Sequence, residues 1–278
     1  MRRTFVILAL VCGGQSWAQE VNPQFVRSPS SNGFPSYYLI EEPKADLQGL
    51  QTPLEMFQVA AFQIADLAAS LLAWNHENQA WPAPTEHYDR LKQFGTWLGG
   101  RDFPACQNTR AKVLLRDTEA DVTLSANRCT VKTGKWHDPY TGNDYAQADA
   151  IQIDHVVPLA NAYISGADNW NQKTRCAYAN FMANNFHLLS VDGHQNQSKG
   201  DSSPADWMPP NAEFHCQYLK DWLSIKLIWG LVMSPPESDA IKAAYAAGHC
   251  DPNAFTISAD ELKVQRQAIT TAMAACPD

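Results

Sequence analysis

Ile153-Asp154-His155-Val156-Val157-Pro158, answered downstream by Asn196-Gln197-Ser198-Lys199-Gly200-Asp201, decides how this chain is read. Asp154 offers oxygen to a hard divalent cation. His155 can take a proton from water near neutral pH, because an unperturbed imidazole titrates near pH ~6.5. Asn196 supplies a second, neutral oxygen, and Lys199, three residues on, can meet a phosphate oxygen. Together these are the groups that a single-metal phosphodiesterase needs. Neighbouring residues of a regular strand point to opposite faces, so Asp154 and His155 can serve one site only where a strand ends or bends. Val156-Val157-Pro158 fits such an end, since proline stops regular pairing.

Working outward, Asp149 to Val157 alternates as a strand, and Phe186 to Val191 reads as a second one. His194-Gln195 is the turn into a helix opening near Asn196. Ala160 to Asn180 reads as a helical insertion carrying Trp170 and Arg175. Phe214, Tyr218, Leu219, Trp222, Ile225 and Trp229 fall at helical spacing and mark a core helix. Leu54 to Trp74 is a second amphipathic segment, closed by Trp81-Pro82-Ala83-Pro84, and Asp260 to Ala275 reads as a polar-faced terminal helix. Residues 19 to 53, rich in Pro, Ser and Asn, read as an extended arm. The class is α+β.

Asp-His-x-x-Pro followed by Asn-x-x-Lys-Gly-Asp resembles the ββα-metal finger of HNH endonucleases. Thr109-Arg110, Cys129, Gly134-x-Trp136, Pro139-Tyr140-x-Gly142, Trp170, Arg175, Trp207-x-Pro209-Pro210 and Cys216 extend the likeness to one branch. That branch is the secreted HNH proteins related to the C-terminal domain of GmrSD restriction endonucleases, and the resemblance spans Tyr88 to Cys250. It implies a ββα-metal finger embedded in a mostly helical, disulfide-bonded domain over residues 86–250, with a helical extension over 251–278. It implies His155 as general base and one divalent metal on Asp154 and Asn196. Mg²⁺ is expected first, with Mn²⁺ or Ca²⁺ as substitutes. Lys199 is the expected phosphate contact, and Arg110, Lys135 and Tyr140 are weaker candidates for touching substrate. The substrate implied is nucleic acid, DNA ahead of RNA. One position departs from the pattern: many HNH proteins carry an Asn where this chain has His187. That histidine would orient the base, serve as a third metal ligand, or simply pack.

Met1-Arg2-Arg3 and the apolar run Thr4 to Val11, followed by Ser16-x-Ala18, read as a signal peptide cleaved after Ala18. The run is too short to span a bilayer, so no stable membrane insertion is expected. The protein is expected in the periplasm or the medium. Losing Arg2 and Arg3 takes the net charge from −8 to −10. That sign disfavours binding nucleic acid over a broad surface and leaves the work to local cations such as those from Arg128 to Lys135. Without Cys12, six cysteines remain, and an even number behind a signal peptide reads as disulfides. Six allow fifteen pairings. The resemblance favours Cys106 with Cys129 and Cys216 with Cys250, which leaves Cys176 for Cys276.

Two other classes compete. A zinc hydrolase could draw on His137, His155, His187 and His194, although no His-x-x-x-His pair appears. A non-catalytic envelope or binding protein could use a degenerate nuclease scaffold, which the acidic charge and nine Trp favour.

Overall fold

The computed structural model describes residues 84, 86–102, 104–247, 250, 257 and 259–277, together with two short strands near the start of the chain. The expected signal peptide and the Leu54 to Trp74 helix lie outside the described residues. The two early strands, β1 (Phe25–Pro29) and β2 (Pro35–Leu39), pair antiparallel with Phe25 opposite Leu39, so part of the expected arm is a hairpin. The architecture is α+β, with small antiparallel sheets among helices. Among the described residues no helix is long and apolar enough to cross a membrane.

A short helix, α1 (Arg90–Phe94), leads to α2 (Thr109–Asp117), whose N-terminus is capped by Asn108 accepting from the Ala111 amide at 3.0 Å. This helix packs on a three-stranded sheet of β3 (Thr123–Leu124), β4 (Val131–His137) and β5 (Asp144–Gln147), in the order β3-β4-β5. Ala111, Val113 and Leu114 meet Val131, Trp136, Ile151, Ile153 and Leu188 in a small core. The Trp136 indole N–H donates to the Leu114 carbonyl at 2.9 Å, which satisfies the one polar atom the ring would otherwise bury unpaired. Gly134 makes room for this ring: a β-carbon there would lie 2.7 Å from it.

The hairpin that carries the Asp-His pair follows. Strand β6 (Ile151–His155) pairs antiparallel with β7 (Leu188–Asp192), setting Asp154 opposite Leu189 and His155 opposite Leu188. The insertion between them is helical, as expected: α3 (Leu159–Ile164), one turn of 3-10 helix at Ala167–Asn169, then α4 (Gln172–Ala179). Directly after β7 comes α5 (Gly193–Lys199), starting three residues earlier than the sequence suggests because Asp192 caps it, accepting from the Gln195 amide at 2.9 Å. Strand, strand and helix thus follow one another as the ββα reading requires.

A larger core joins Val156, Val157, Tyr163, Trp170, Tyr178 and Phe181 to α6 (His215–Trp229), which buries Tyr218, Leu219, Trp222, Ile225, Ile228 and Trp229. Helix α6 ends at Gly230, in the left-handed conformation (φ 63°) that glycine adopts without steric cost. Two more helices follow, α7 (Pro235–Ala246) and α8 (Ala259–Ala274). The disulfides join Cys106 to Cys129, Cys176 to Cys276 and Cys216 to Cys250, which are the pairs expected from the resemblance and its remainder.

Candidate active site

Residues two apart on a strand share a face, so Gln152 and Asp154 both look toward α5. The helix comes close at its start, where a β-carbon on Gly193 would meet the Ala150 carbonyl at 3.2 Å. Asn196 donates through Nδ2 to Gln152 Oε1 at 2.8 Å. One turn later Lys199 donates through Nζ to Asp154 Oδ1 at 2.8 Å and to the His155 carbonyl at 2.9 Å. Lys199 is fully buried and Asp154 is 5% exposed. Burial pushes the Asp154 carboxyl up and the Lys199 ammonium down, and each is held back by the charge of the other.

The second oxygen of Asp154 accepts from the Tyr140 hydroxyl. Tyr140 is placed by the turn between β4 and β5, where Asp138 accepts from the Tyr140 amide at 3.0 Å and from the Thr141 hydroxyl at 2.6 Å. Its ring packs on Trp207 and Tyr218. Burial first, and then the Asp154 charge, raise the phenol well above its usual value, so it stays a neutral donor.

His155 ends β6 and takes different partners. Its Nε2 lies 2.9 Å from the Ala179 carbonyl, and a carbonyl can only accept, so Nε2 carries the proton and Nδ1 holds the free lone pair. Burial, followed by the neighbouring His187, lowers its pKa well below the usual histidine value, with smaller contributions from Arg90 and Lys199. The ring is therefore neutral at pH 7, the form that accepts a proton. Trp97 stacks on it with ring centroids 5.2 Å apart and planes at 5°.

His187 donates from Nε2 to the Tyr178 carbonyl at 2.8 Å, one residue before the carbonyl that holds His155. Both histidines thus dock on consecutive carbonyls at the C-terminal end of α4, where backbone acceptors lack helical partners. His187 is walled in by Tyr178, Phe181 and Trp229, its Nδ1 is buried without a partner, and burial pushes its pKa down to about 3. His187 is thus packed behind His155, with its Nε2 already committed to the Tyr178 carbonyl. The loop ahead of β7 is pinned by Asn184, whose Oδ1 accepts from the His187 amide at 2.9 Å and the Phe186 amide at 3.2 Å.

Several sequence expectations change at this point. Lys199 is not at the surface to meet a phosphate; it is the counter-ion beneath Asp154, because the side chain three residues after Asn196 points back into the hairpin. Tyr140 is likewise buried on Asp154 rather than set against substrate. Arg110 donates to the carbonyls of Ala148 and Ile151, at 2.8 and 2.7 Å, and fastens α2 to the start of β6. Lys135 is exposed but paired with Glu119 at 2.9 Å and Asp144 at 3.4 Å, which cancels its charge. His137 bonds the same Asp144, while His155 and His187 dock on two backbone carbonyls, so these three histidines of the zinc alternative have separate partners. Among the described residues no three His, Cys, Asp or Glu side chains are grouped to hold a metal. Trp97 was not found from the sequence. It lies outside both half-motifs, and a lone Trp in Thr96-Trp97-Leu98-Gly99 carries no signal beyond its size.

The donor chemistry suits an oxygen-bound divalent ion. With one donor on each Asp154 oxygen, a carboxylate still has lone pairs to give, and with Nδ2 of Asn196 anchored on Gln152 its Oδ1 remains the free end of the amide. Lys199 makes the pair electrically neutral, which weakens any such cation site relative to a bare carboxylate.

The sequence pattern for GmrSD restriction endonucleases, C-terminal domain, matches residues 107–241. An uncharacterized secreted protein of Arthroderma benhamiae is 36% identical over 159 residues, covering 57% of this chain and 74% of that protein. No solved structure matches the chain. With the hairpin, the helix and the Asp-His and Asn-x-x-Lys segments all inside the matched stretch, the chain belongs to the family of the C-terminal domain of GmrSD restriction endonucleases.

Proposed function

We propose that the protein hydrolyses phosphodiester bonds of nucleic acid, DNA ahead of RNA, with His155 as general base and little sequence preference. The observation that carries this reading is the seating of His155. It is neutral, its Nε2–H is fixed on the Ala179 carbonyl, and its Nδ1 is the free basic nitrogen. In the reaction Nδ1 takes a proton from water as the water oxygen attacks phosphorus. The bond from phosphorus to the leaving oxygen breaks, and that oxygen leaves with a proton from solvent. The residues that would hold a divalent ion, Mg²⁺ first and Mn²⁺ or Ca²⁺ as substitutes, are Asp154 and Asn196, and the chemistry supplied there is neutralisation of charge on the phosphate. Lys199 and Tyr140 keep Asp154 in place, and Lys199 also grips the carbonyl of His155. The disulfides and the secreted relative support a place outside the cytoplasm, periplasm or medium.

The test is cleavage of supercoiled plasmid by the mature, oxidised protein with Mg²⁺. His155→Ala should lower turnover by about 10²–10⁴-fold, the usual range for a lost general base, with the thermal midpoint little changed. Equal cleavage by the variant removes His155 from the chemistry. Nucleic-acid binding without cleavage by the parent would favour the non-catalytic scaffold, which the neutralised Asp154–Lys199 pair also allows.

A further inference from the structure

Three cations that the sequence nominates for touching substrate are engaged: Lys199 beneath Asp154, Arg110 on two carbonyls, Lys135 between two acids. A different cation stands beside the base. Arg90, the first residue of α1, is exposed, and its guanidinium carbon lies 5.6 Å from the centroid of the Trp97 ring, the ring that stacks on His155. Among the described residues Arg90 has no hydrogen bond or ion pair. Asp89, its neighbour, is occupied as the cap of α1, accepting from the Lys92 amide at 2.9 Å.

The plate that carries Arg90 is fixed to the same helix end as the base. Asn180, which caps α4, accepts from the Leu98 amide at 2.9 Å and donates to the Thr96 carbonyl at 3.3 Å, so Trp97 is held on both sides. Arg175 on α4 donates to the Gln93 carbonyl at 3.0 Å, which ties down α1 itself. Arg90, Trp97 and His155 are thus mounted on one support, although Arg90 and Trp97 precede the family's matched stretch. A guanidinium lying over an aromatic ring keeps its in-plane N–H groups outward, where they can grip a phosphate in bidentate fashion.

We propose that Arg90, carried on the Trp97 plate, is the phosphate-backbone contact of this site and holds the phosphate next to the one that His155 serves. This rests on the phosphodiesterase reading above. It makes Arg90 a binding residue and Trp97 a positioning residue, supplied by a segment upstream of the matched family domain.

Steady-state cleavage of a labelled duplex oligonucleotide, across a series of monovalent salt concentrations, tests it with the full oxidised chain. Arg90→Ala should raise KM about tenfold to a hundredfold, the range for a lost charged hydrogen bond, while kcat stays within about twofold. The slope of log kcat/KM against log salt should become shallower by about 0.9, one phosphate contact for duplex DNA. Arg90→Lys should restore the slope and only part of KM, since an ammonium keeps the charge and loses the fork. A slope and KM equal to the parent's in Arg90→Ala, with the parent active, overturn the assignment. A fall in kcat alone also overturns it, because that would make Arg90 a brace for Trp97. A parent chain that neither cuts nor binds nucleic acid sinks the hydrolase reading itself, and this assignment with it.

Discussion

Lys199 shows how spacing can give direction without depth. Three residues after Asn196, it has to lie on the same side of α5, and that much is readable in Asn-x-x-Lys. What spacing cannot give is the distance between helix and strand. With Gly193 letting the helix close on β6, the amine is fully buried and reaches Asp154. Lys199→Met should therefore cost stability, about 3–5 kcal/mol, because Asp154 is left as a buried charge with only Tyr140 for company. Added Mg²⁺ should raise the unfolding midpoint of this variant more than that of the parent, since a divalent ion can take over the position of the lost ammonium. Urea unfolding with and without Mg²⁺ measures both. An unchanged midpoint would put Lys199 back at the phosphate. Tyr140→Phe, which removes one donor to the same carboxylate, should cost less, about 1–2 kcal/mol.

At the scale of elements, the hairpin and its helix were legible because their residues obey simple periods. Ile151 and Ile153 alternate with Gln152 and Asp154, and Val156-Val157-Pro158 marks the strand end. Helix α6 was legible from its apolar spacing, and all of the expected residues except Phe214, which precedes its first turn, lie within it. Two things were not. The β1–β2 hairpin reads from composition as an arm, although Asn32-Gly33 lies between the strands and is a turn dipeptide. The role of the α4 end was invisible, because a backbone carbonyl carries no residue identity: Ala179 holds His155 through an atom that every residue has.

Helix α6 also carries a pH-sensitive group. Asp221 is 3% exposed, accepts from Gln217 Nε2 at 2.6 Å, and is pushed up to about 7 by burial, against the pull of Gln217 and Lys220. The folded protein therefore holds this proton more tightly than the unfolded chain, where the value is about 3.9. Its contribution to stability is fully present below pH ~4 and is lost as pH rises through about 7. His187 works in the opposite sense: held neutral down to about 3, its contribution is lost as pH falls from ~6.5 toward that value. Comparing the parent with Asp221→Asn isolates the first effect. The parent's stability relative to the variant should decline with rising pH across that window, by at most about 1.4 kcal/mol per unit. A difference that stays flat from pH 4 to 7 would mean that Asp221 titrates normally.

The described residues build two hydrophobic cores joined by the β6–β7 hairpin, and the C-terminal tail is fastened covalently. The Cys176–Cys276 bond closes the longest loop, a separation of 100 residues, and joins α4 to the tail just beyond α8. Removing it by Cys176→Ala with Cys276→Ala should lower stability by about 2–5 kcal/mol. It should also lower turnover, because α4 carries the carbonyl on which His155 is seated. Unfolding midpoints and plasmid cleavage on the same preparation separate the two effects. Full activity at reduced stability would show that α4 keeps its end in register without the tether.

Cys176 stands three residues before Ala179 on α4, so the bond that closes the tail lies within one helical turn of the carbonyl that holds His155. On the proposed phosphodiesterase reading, the cell that makes this protein would be full of its substrate, and a cytosol keeps thiols reduced. A chain made there would lack this tether, and would gain it only on reaching an oxidising compartment. On that reading, crossing the membrane and fixing the seat of His155 would be one event, and the producer's own nucleic acid would be spared by the same bond that stabilises the protein outside.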